Sequence, residues 1–121
     1  MRAIHSLLLA ALLASMLAIP AWAHAHLVKA DPPVGGAVSA TDTLRLEFSE
    51  GVEIKFSGVA VTKDDGTDIA PLKVERDAKD AKALVVTLPA KLDAGTYKVR
   101  WHVVSVDTHR TQGDYAFTVK P

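Results

Sequence analysis

The chain has 121 residues, with 14 basic and 14 acidic side chains, a formal net charge of zero and no cysteine. Balanced charge argues against binding to nucleic acid or to an anionic membrane surface. The absence of cysteine excludes disulfides, thiolate zinc sites and iron–sulfur clusters.

The first 23 residues have the features of a secretory signal peptide. Arg2 provides a positive start, an apolar run covers residues 7–19, and Ala21-Trp22-Ala23 has the small-x-small form of a cleavage site. The apolar run is shorter than the ~20 residues that a transmembrane helix needs, and no second run follows it. We therefore predict that 1–23 is cleaved and that the mature protein is exported, with no membrane insertion.

Residues 24–121 then form the mature chain, whose length suits one domain with a modest core. Both methionines, Met1 and Met16, belong to the predicted signal peptide. A metal bound to the mature chain must therefore be held by nitrogen and oxygen.

Alternation of apolar and polar residues with period two is typical of half-buried strands and recurs along the mature chain. The predicted strands cover 26–30, 43–48, 54–56, 59–62, 69–75, 84–88, 97–104 and 115–119. Turn sequences separate them, such as Asp-Asp-Gly at 64–66 and Asp-Ala-Gly at 93–95. Residues 76–83 are predicted to be a helical turn or a solvated loop.

About seven short strands, with no helix long enough to cover a sheet, predict an all-β fold. We expect a cupredoxin-like or immunoglobulin-like Greek-key β-sandwich. Trp101 should lie at its centre, where the indole N–H needs a hydrogen-bond partner. The residues expected to face inward are Leu44, Leu46, Phe48, Val59, Val61, Leu84, Val86, Leu88, Tyr97, Val99, Trp101, Val103, Tyr115, Phe117 and Val119.

Cleavage after Ala23 makes His24 the first residue, so a free amine and an imidazole share one residue. An internal histidine cannot chelate a metal in this way, because its backbone nitrogen is part of an amide. Asp107 and His109 lie in a polar segment between two predicted strands, and residues two apart in an extended chain project to the same side. They could face a common point, or they could stabilise a turn by bonding to backbone amides.

One amine, two imidazoles and one carboxylate suit tetragonal copper(II), although zinc uses similar ligands. His26 offers an alternative, because a third-position histidine can bind copper(II) together with the amine and two deprotonated backbone amides. His102, within a predicted strand, is expected to be a surface residue rather than a ligand. Copper affinity should fall as the pH drops through the ordinary histidine range near ~6.5.

Several motifs together resemble the CopC family of periplasmic copper-resistance proteins, and the resemblance spans the whole mature chain. It implies a cupredoxin-like β-sandwich that binds one copper(II) ion per mature chain and is associated with the inner-membrane copper transporter CopD. The implied ligands are the amine and imidazole of His24 with Asp107 and His109. The motifs are His-Ala-His-Leu-Val at 24–28, Asp-Pro-Pro at 31–33, Leu-Glu-Phe-Ser-Glu at 46–50, Tyr-Lys-Val-Arg-Trp at 97–101, and Ser-Val-Asp-Thr-His at 105–109 with Gly113 and Phe117.

Two features depart from the family pattern. The family's Asp-Gly-His is Asp107-Thr108-His109 here, which keeps both ligands but changes the backbone freedom between them. The mature chain also lacks the methionines of members with a copper(I) site, so it resembles the copper(II)-only branch. Glu50 is either a group that orients the amine or a bound water, or a carboxylate on an edge strand.

We predict a monomeric copper(II)-binding protein, not an enzyme, that sequesters the ion or delivers it to an inner-membrane transporter. One alternative is a copper-dependent monooxygenase-like enzyme, because a terminal histidine also binds copper in such enzymes. The other is a metal-free immunoglobulin-like interaction module, in which the histidines are incidental.

Overall fold

The computed structural model describes residues 24–121, so the predicted signal peptide at 1–23 lies outside the described residues. Within them, one 3-10 helix (Ile54–Phe56) accompanies nine strands. No helix in this part of the chain has the length and hydropathy needed to cross a membrane. The strands are β1 (Leu27–Asp31), β2 (Ala37–Val38), β3 (Thr43–Phe48), β4 (Gly58–Lys63), β5 (Asp68–Ile69), β6 (Lys73–Arg76), β7 (Ala83–Thr87), β8 (Gly95–Val104) and β9 (Arg110–Val119).

The strands form two sheets that pack face to face. One sheet has the order β1-β3-β7-β6, and the other has the order β2-β9-β8-β4-β5. Neighbouring strands are antiparallel, except that the short β2 runs parallel to β9. This architecture confirms the predicted β-sandwich.

The interior between the sheets contains the residues that the alternating pattern predicts. All fifteen are buried except Val59, which is half buried and packs against the core. Phe48 meets Trp101 edge to face at 5.1 Å between ring centroids, and Tyr97 stacks on Phe117 at 5.7 Å. Period-two patterning therefore identifies the interior of this sandwich, since successive side chains of a strand point to opposite faces.

The indole of Trp101 lacks the hydrogen-bond partner that we expected. Its Nε1 is buried and makes no hydrogen bond to a residue in 24–121, and the same is true of the Tyr115 hydroxyl. The indole packs against Gly113, where a Cβ would lie 2.6 Å from Cζ2 of the ring. Burial also raises the pKa of Tyr115.

The strand predicted at 54–56 is wrong, because these residues form the 3-10 helix instead. The amide of Phe56 donates a hydrogen bond to the carbonyl of Glu53 at 3.1 Å, and the Ser57 hydroxyl donates to the same carbonyl at 2.8 Å. The Phe56 side chain is 63% exposed. Two apolar residues two apart are too short a pattern to distinguish a strand from one tight turn.

The other differences concern short or interrupted elements. The single strand predicted at 69–75 is two strands, β5 and β6, which lie in different sheets on either side of Pro71. The strand β2 was not predicted, because two residues carry no period. Residues 77–82 form a loop, in which Asp77 and Asp80 accept hydrogen bonds from backbone amides two residues later. The alternative of a helical turn is therefore wrong.

Candidate metal centre

The start of the described chain is anchored inside the sandwich. Ala25 is completely buried, and its carbonyl oxygen accepts a hydrogen bond of 2.6 Å from the Thr111 hydroxyl of β9. Because the next residue is fixed in this way, His24 is placed at the end of the sandwich where the loop between β8 and β9 lies. We call residues 24–26 and 105–109 together the histidine end.

At this end, His24 and His109 lie against each other although they are far apart in the sequence. Their ring centroids are 4.5 Å apart, and the ring planes are tilted by 31°. The loop that holds His109 is fixed to residues 51 and 52, because the amide of Val106 donates to the carbonyl of Gly51 and Ser105 forms a β-bridge with Val52. Both imidazoles are thus held by backbone contacts close to their attachment points.

Asp107 joins the same cluster through His109. Nδ1 of His109 lies 3.2 Å from a carboxylate oxygen of Asp107, and the Ser105 hydroxyl donates a hydrogen bond to the other oxygen. The Ser105 hydrogen bond, followed by that of His109, lowers the pKa of the Asp107 carboxyl. A carboxylate bonded to Nδ1 fixes the imidazole and leaves Nε2 as the nitrogen available to a metal.

The loop that brings Asp107 and His109 together is a turn and not the extended segment that we predicted. Thr108 has a positive φ of 74°, which is uncommon for a β-branched residue. Its amide donates a hydrogen bond to the carbonyl of Ser105 at 2.8 Å, and its hydroxyl donates to the carbonyl of Asp107 at 2.6 Å. A glycine would adopt this φ more easily than a threonine.

The structure therefore brings together His24, Asp107 and His109. Within residues 24–121, however, no three histidine, aspartate or glutamate side chains are arranged as a group that could hold a metal ion. The two tilted rings contact each other, and Asp107 bonds to one of them, so the side chains contact one another instead of surrounding a common point. The predicted fourth donor is the nitrogen of His24, which becomes an amine only after cleavage. The ligand set remains a prediction.

His26 makes different contacts. Its backbone amide donates to the Ser49 hydroxyl at 3.0 Å, and its Nδ1 lies 3.1 Å from the same oxygen. Copper binding through the amide and imidazole of His26 would have to break both contacts. Glu50 makes no hydrogen bond or ion pair with another residue of the described range, so its orienting role stays a prediction. His102 lies half buried on the outer face of its sheet.

Three hydroxyl residues that position the histidine end were not identified from the sequence as positioning residues. They are Ser49, which bonds to His26, Ser105, which bonds to Asp107, and Thr111, which bonds to the carbonyl of Ala25. Serine and threonine are common in strands and turns, so no local pattern distinguishes these three. Ser105 finds its partner two residues along the same loop, whereas the partners of Ser49 and Thr111 become apparent only when distant parts of the chain are assembled.

The fold and the site define a small β-sandwich protein with two imidazoles and one carboxylate at one end, a donor set suited to a divalent transition metal. The family model of the CopC domain matches residues 27–120, and the chain belongs to the CopC family. The resemblance inferred from the sequence motifs is thereby confirmed.

Similar proteins come from several bacteria. Protein YobA of Escherichia coli (strain K12) is 45% identical over 113 residues, covering 93% of this chain and 91% of the relative. Copper resistance protein C of Xanthomonas campestris pv. juglandis is 39% identical over 112 residues, covering 88% of each chain. The crystal structure of PcoC, a methionine-rich copper resistance protein from Escherichia coli, aligns with a TM-score of 0.74 and 40% identity, covering 81% of this chain and all of PcoC. The second and third of these are copper resistance proteins, and the CopC family is not a family of enzymes, in agreement with the prediction.

Proposed function

We propose that this protein binds copper(II) in the periplasm for copper resistance, sequestering the ion or delivering it to an inner-membrane transporter. The observation that carries this proposal is the contact between His24 and His109 at the end of the sandwich, with Asp107 bonded to His109. His24 and His109 are 85 positions apart in the sequence and are in contact there. The copper resistance proteins among the relatives support the same metal.

The donor atoms favour copper(II) over copper(I). The proposed ligands are the amine and imidazole of His24, the imidazole of His109 and the carboxylate of Asp107, which bind one ion per mature chain. Copper(I) prefers the sulfur of cysteine and methionine. PcoC is described as methionine-rich, whereas both methionines of this chain lie in 1–23 and it has no cysteine.

The anchoring of Ala25 supports a role for the new amino terminus. Its buried methyl group and its hydrogen-bonded carbonyl hold the chain one residue after the amine. His24, which carries two donors, then loses little conformational freedom on binding a metal, because the chain next to it is already fixed. Asp107 has a lowered pKa and stays ionised at neutral pH, so it can act as a charged ligand or as the group that orients His109.

The proposed location and partner follow from the predicted signal peptide and from the family. Export places the mature protein in the periplasm, where a CopD-like inner-membrane copper transporter would receive the ion. We propose a monomer, because one chain contains all the proposed ligands.

Electron paramagnetic resonance of bound copper(II) tests the proposal. The protein that begins at His24 should be compared with a variant that carries one extra residue before His24. The extra residue converts the amine into an amide, so we expect a changed spectrum. Affinity should fall by more than the roughly tenfold effect of losing an outer hydrogen bond to a ligand.

The variant His26→Ala is the control for the alternative chelate. The proposed site predicts that its spectrum matches that of the unmodified protein, because His26 is bonded to Ser49 and is not a ligand. If the extra residue changed nothing, the amine would not be a ligand. If His26→Ala abolished the signal, copper would be bound through the third residue.

A further inference from the structure

A concave patch of about 560 Å³ lies on the outer face of the five-stranded sheet. Its floor is formed by Gly58 and Ala60 of β4, and its walls include Arg100 and His102 of β8 and Arg110 of β9. We call these five residues the cationic patch. It is distinct from the candidate metal centre, because none of the proposed copper ligands lines it.

Small residues on one strand beside long residues on the next make this patch concave. Gly58 is opposite His102 and Ala60 is opposite Arg100 in the register of β4 and β8. A Cβ at position 58 would lie 2.6 Å from Cε1 of His102, so the imidazole lies across the backbone of β4. The floor therefore stays low, while the longer side chains of β8, and of β9 beyond it, rise on one side of it.

The patch has more positive than negative groups available for a ligand. Neither Arg100 nor Arg110 makes an ion pair or a side-chain hydrogen bond with another residue of 24–121. One carboxylate, Asp114, also lines the patch opposite Arg100, and it lies 3.9 Å from Nζ of Lys98. Two guanidinium groups are thus left without a partner beside one imidazole.

A guanidinium presents a planar pair of N–H donors that matches a carboxylate. Two such groups beside a shallow floor can hold two neighbouring carboxylates, and the volume is within the ~300–1,000 Å³ typical of ligand sites. We propose that the cationic patch binds the aspartate or glutamate side chains of an acidic segment in a partner protein. The 13 basic and 14 acidic residues of 24–121 give no overall attraction to an anionic bilayer, so the positive charge is a local feature.

The position of the patch places such a partner beside the histidine end. Arg110 is the first residue of β9 and follows His109 directly. An acidic segment held by Arg110 would lie next to the loop at 105–109. The proposal requires no bound metal, so it stands or fails separately from the proposed copper site.

Nuclear magnetic resonance titration of the metal-free protein at low salt tests the proposal. The probe is a hexaglutamate peptide, with hexaglutamine as the uncharged comparison. We expect saturable shifts of the amides at 58–60, 100–102 and 110–114 with hexaglutamate only. Arg100→Gln combined with Arg110→Gln should weaken binding about tenfold or more, because charge-assisted hydrogen bonds are lost.

Two further variants make the result specific. Lys73→Gln with Lys91→Gln removes the same charge elsewhere and should change the dissociation constant by less than about twofold. Ala60→Glu places a carboxylate on the floor and should abolish binding without removing either arginine. Equal weakening by the lysine and arginine pairs would overturn the proposal. So would binding to phosphatidylglycerol vesicles but not to hexaglutamate, which would identify a membrane surface instead.

Discussion

The interior of the sandwich and its histidine end are held by different interactions. In the interior, rings and branched side chains make apolar contacts, such as that of Phe48 with Trp101. At the histidine end, single hydroxyl groups bond to backbone and side-chain atoms of residues far away in the sequence, as Thr111 does to Ala25. Apolar contact is spread over many atoms, whereas each hydroxyl fixes one position. The first arrangement supports the fold, and the second places donor atoms.

The largest expected effect comes from the interior. Phe48→Ala should lower the free energy of unfolding by about 3–5 kcal/mol, because it removes a buried ring and leaves a cavity. Copper affinity of the folded fraction should not change. Urea unfolding measures the first quantity, with Phe56→Ala as the control. Phe56 is 63% exposed, so its loss should cost no more than about 0.5 kcal/mol. Equal effects would mean that burial does not distinguish the two rings.

Replacing Asp107, the carboxylate of the histidine end, should change copper affinity strongly and the free energy of unfolding only slightly. Asp107→Asn should weaken copper binding by about 10–100-fold, because the amide is uncharged and cannot accept the hydrogen bonds of Ser105 and His109 equally well. The free energy of unfolding should change by less than about 1 kcal/mol. Competitive titration with a copper chelator measures the affinity. Asp68→Asn, on the exposed β5, is the control, and equal affinities of the two variants would exclude Asp107 from the site.

A change at the contact between the two regions should affect both quantities. Thr111→Val keeps the shape of the side chain but removes the hydrogen bond to the carbonyl of Ala25, which should cost about 1 kcal/mol in unfolding free energy. Copper affinity should also fall, because the residue after the amine is less firmly held. Thr62→Val replaces an outward threonine of β4 and should alter neither. Unchanged affinity in Thr111→Val would show that anchoring Ala25 is unnecessary for binding.

The smallest effect is expected at the turn. Thr108→Gly relieves a left-handed backbone conformation but increases the freedom of the unfolded chain and removes the bond to the Asp107 carbonyl. The net result should be stabilisation by about 0.5 kcal/mol. Thr43→Gly, in the regular strand β3, should instead destabilise by about 0.5–1 kcal/mol. Thermal unfolding of both variants checks this. Destabilisation by Thr108→Gly would mean that the threonine hydroxyl matters more than the backbone strain.

These two regions also differ in how well the sequence predicts them. The interior follows from period two, because alternation along each strand requires no knowledge of its neighbours. Only Val59 is less buried than expected. The failures, the 3-10 helix at Ile54–Phe56 and the separate strands β5 and β6, lie where a pattern is two or three residues long or a proline interrupts it. At these positions tertiary contacts determine the secondary structure more strongly than the local sequence pattern does.

The histidine end was predicted only in part. His24, Asp107 and His109 were chosen from their chemistry, and the structure brings them together. Ser49 and Thr111 could not be found, because a serine or threonine with a distant partner looks the same as any other, and the bond of Ser105 to Asp107 depends on a turn that was not expected. The backbone between Asp107 and His109 also differs from the prediction. We expected an extended segment, but the loop is a turn with Thr108 at positive φ.

The packing of Trp101 on Gly113 gives the protein an optical probe of its own. Residues 24–121 contain a single tryptophan, and its indole is 9% exposed with no hydrogen bond within the described range. An indole that is shielded from water emits at shorter wavelength than one in solvent. Trp101 also lines a groove shared with His24. The emission wavelength of Trp101 can therefore report unfolding of the interior. Its emission intensity can report binding of a quenching ion at the histidine end.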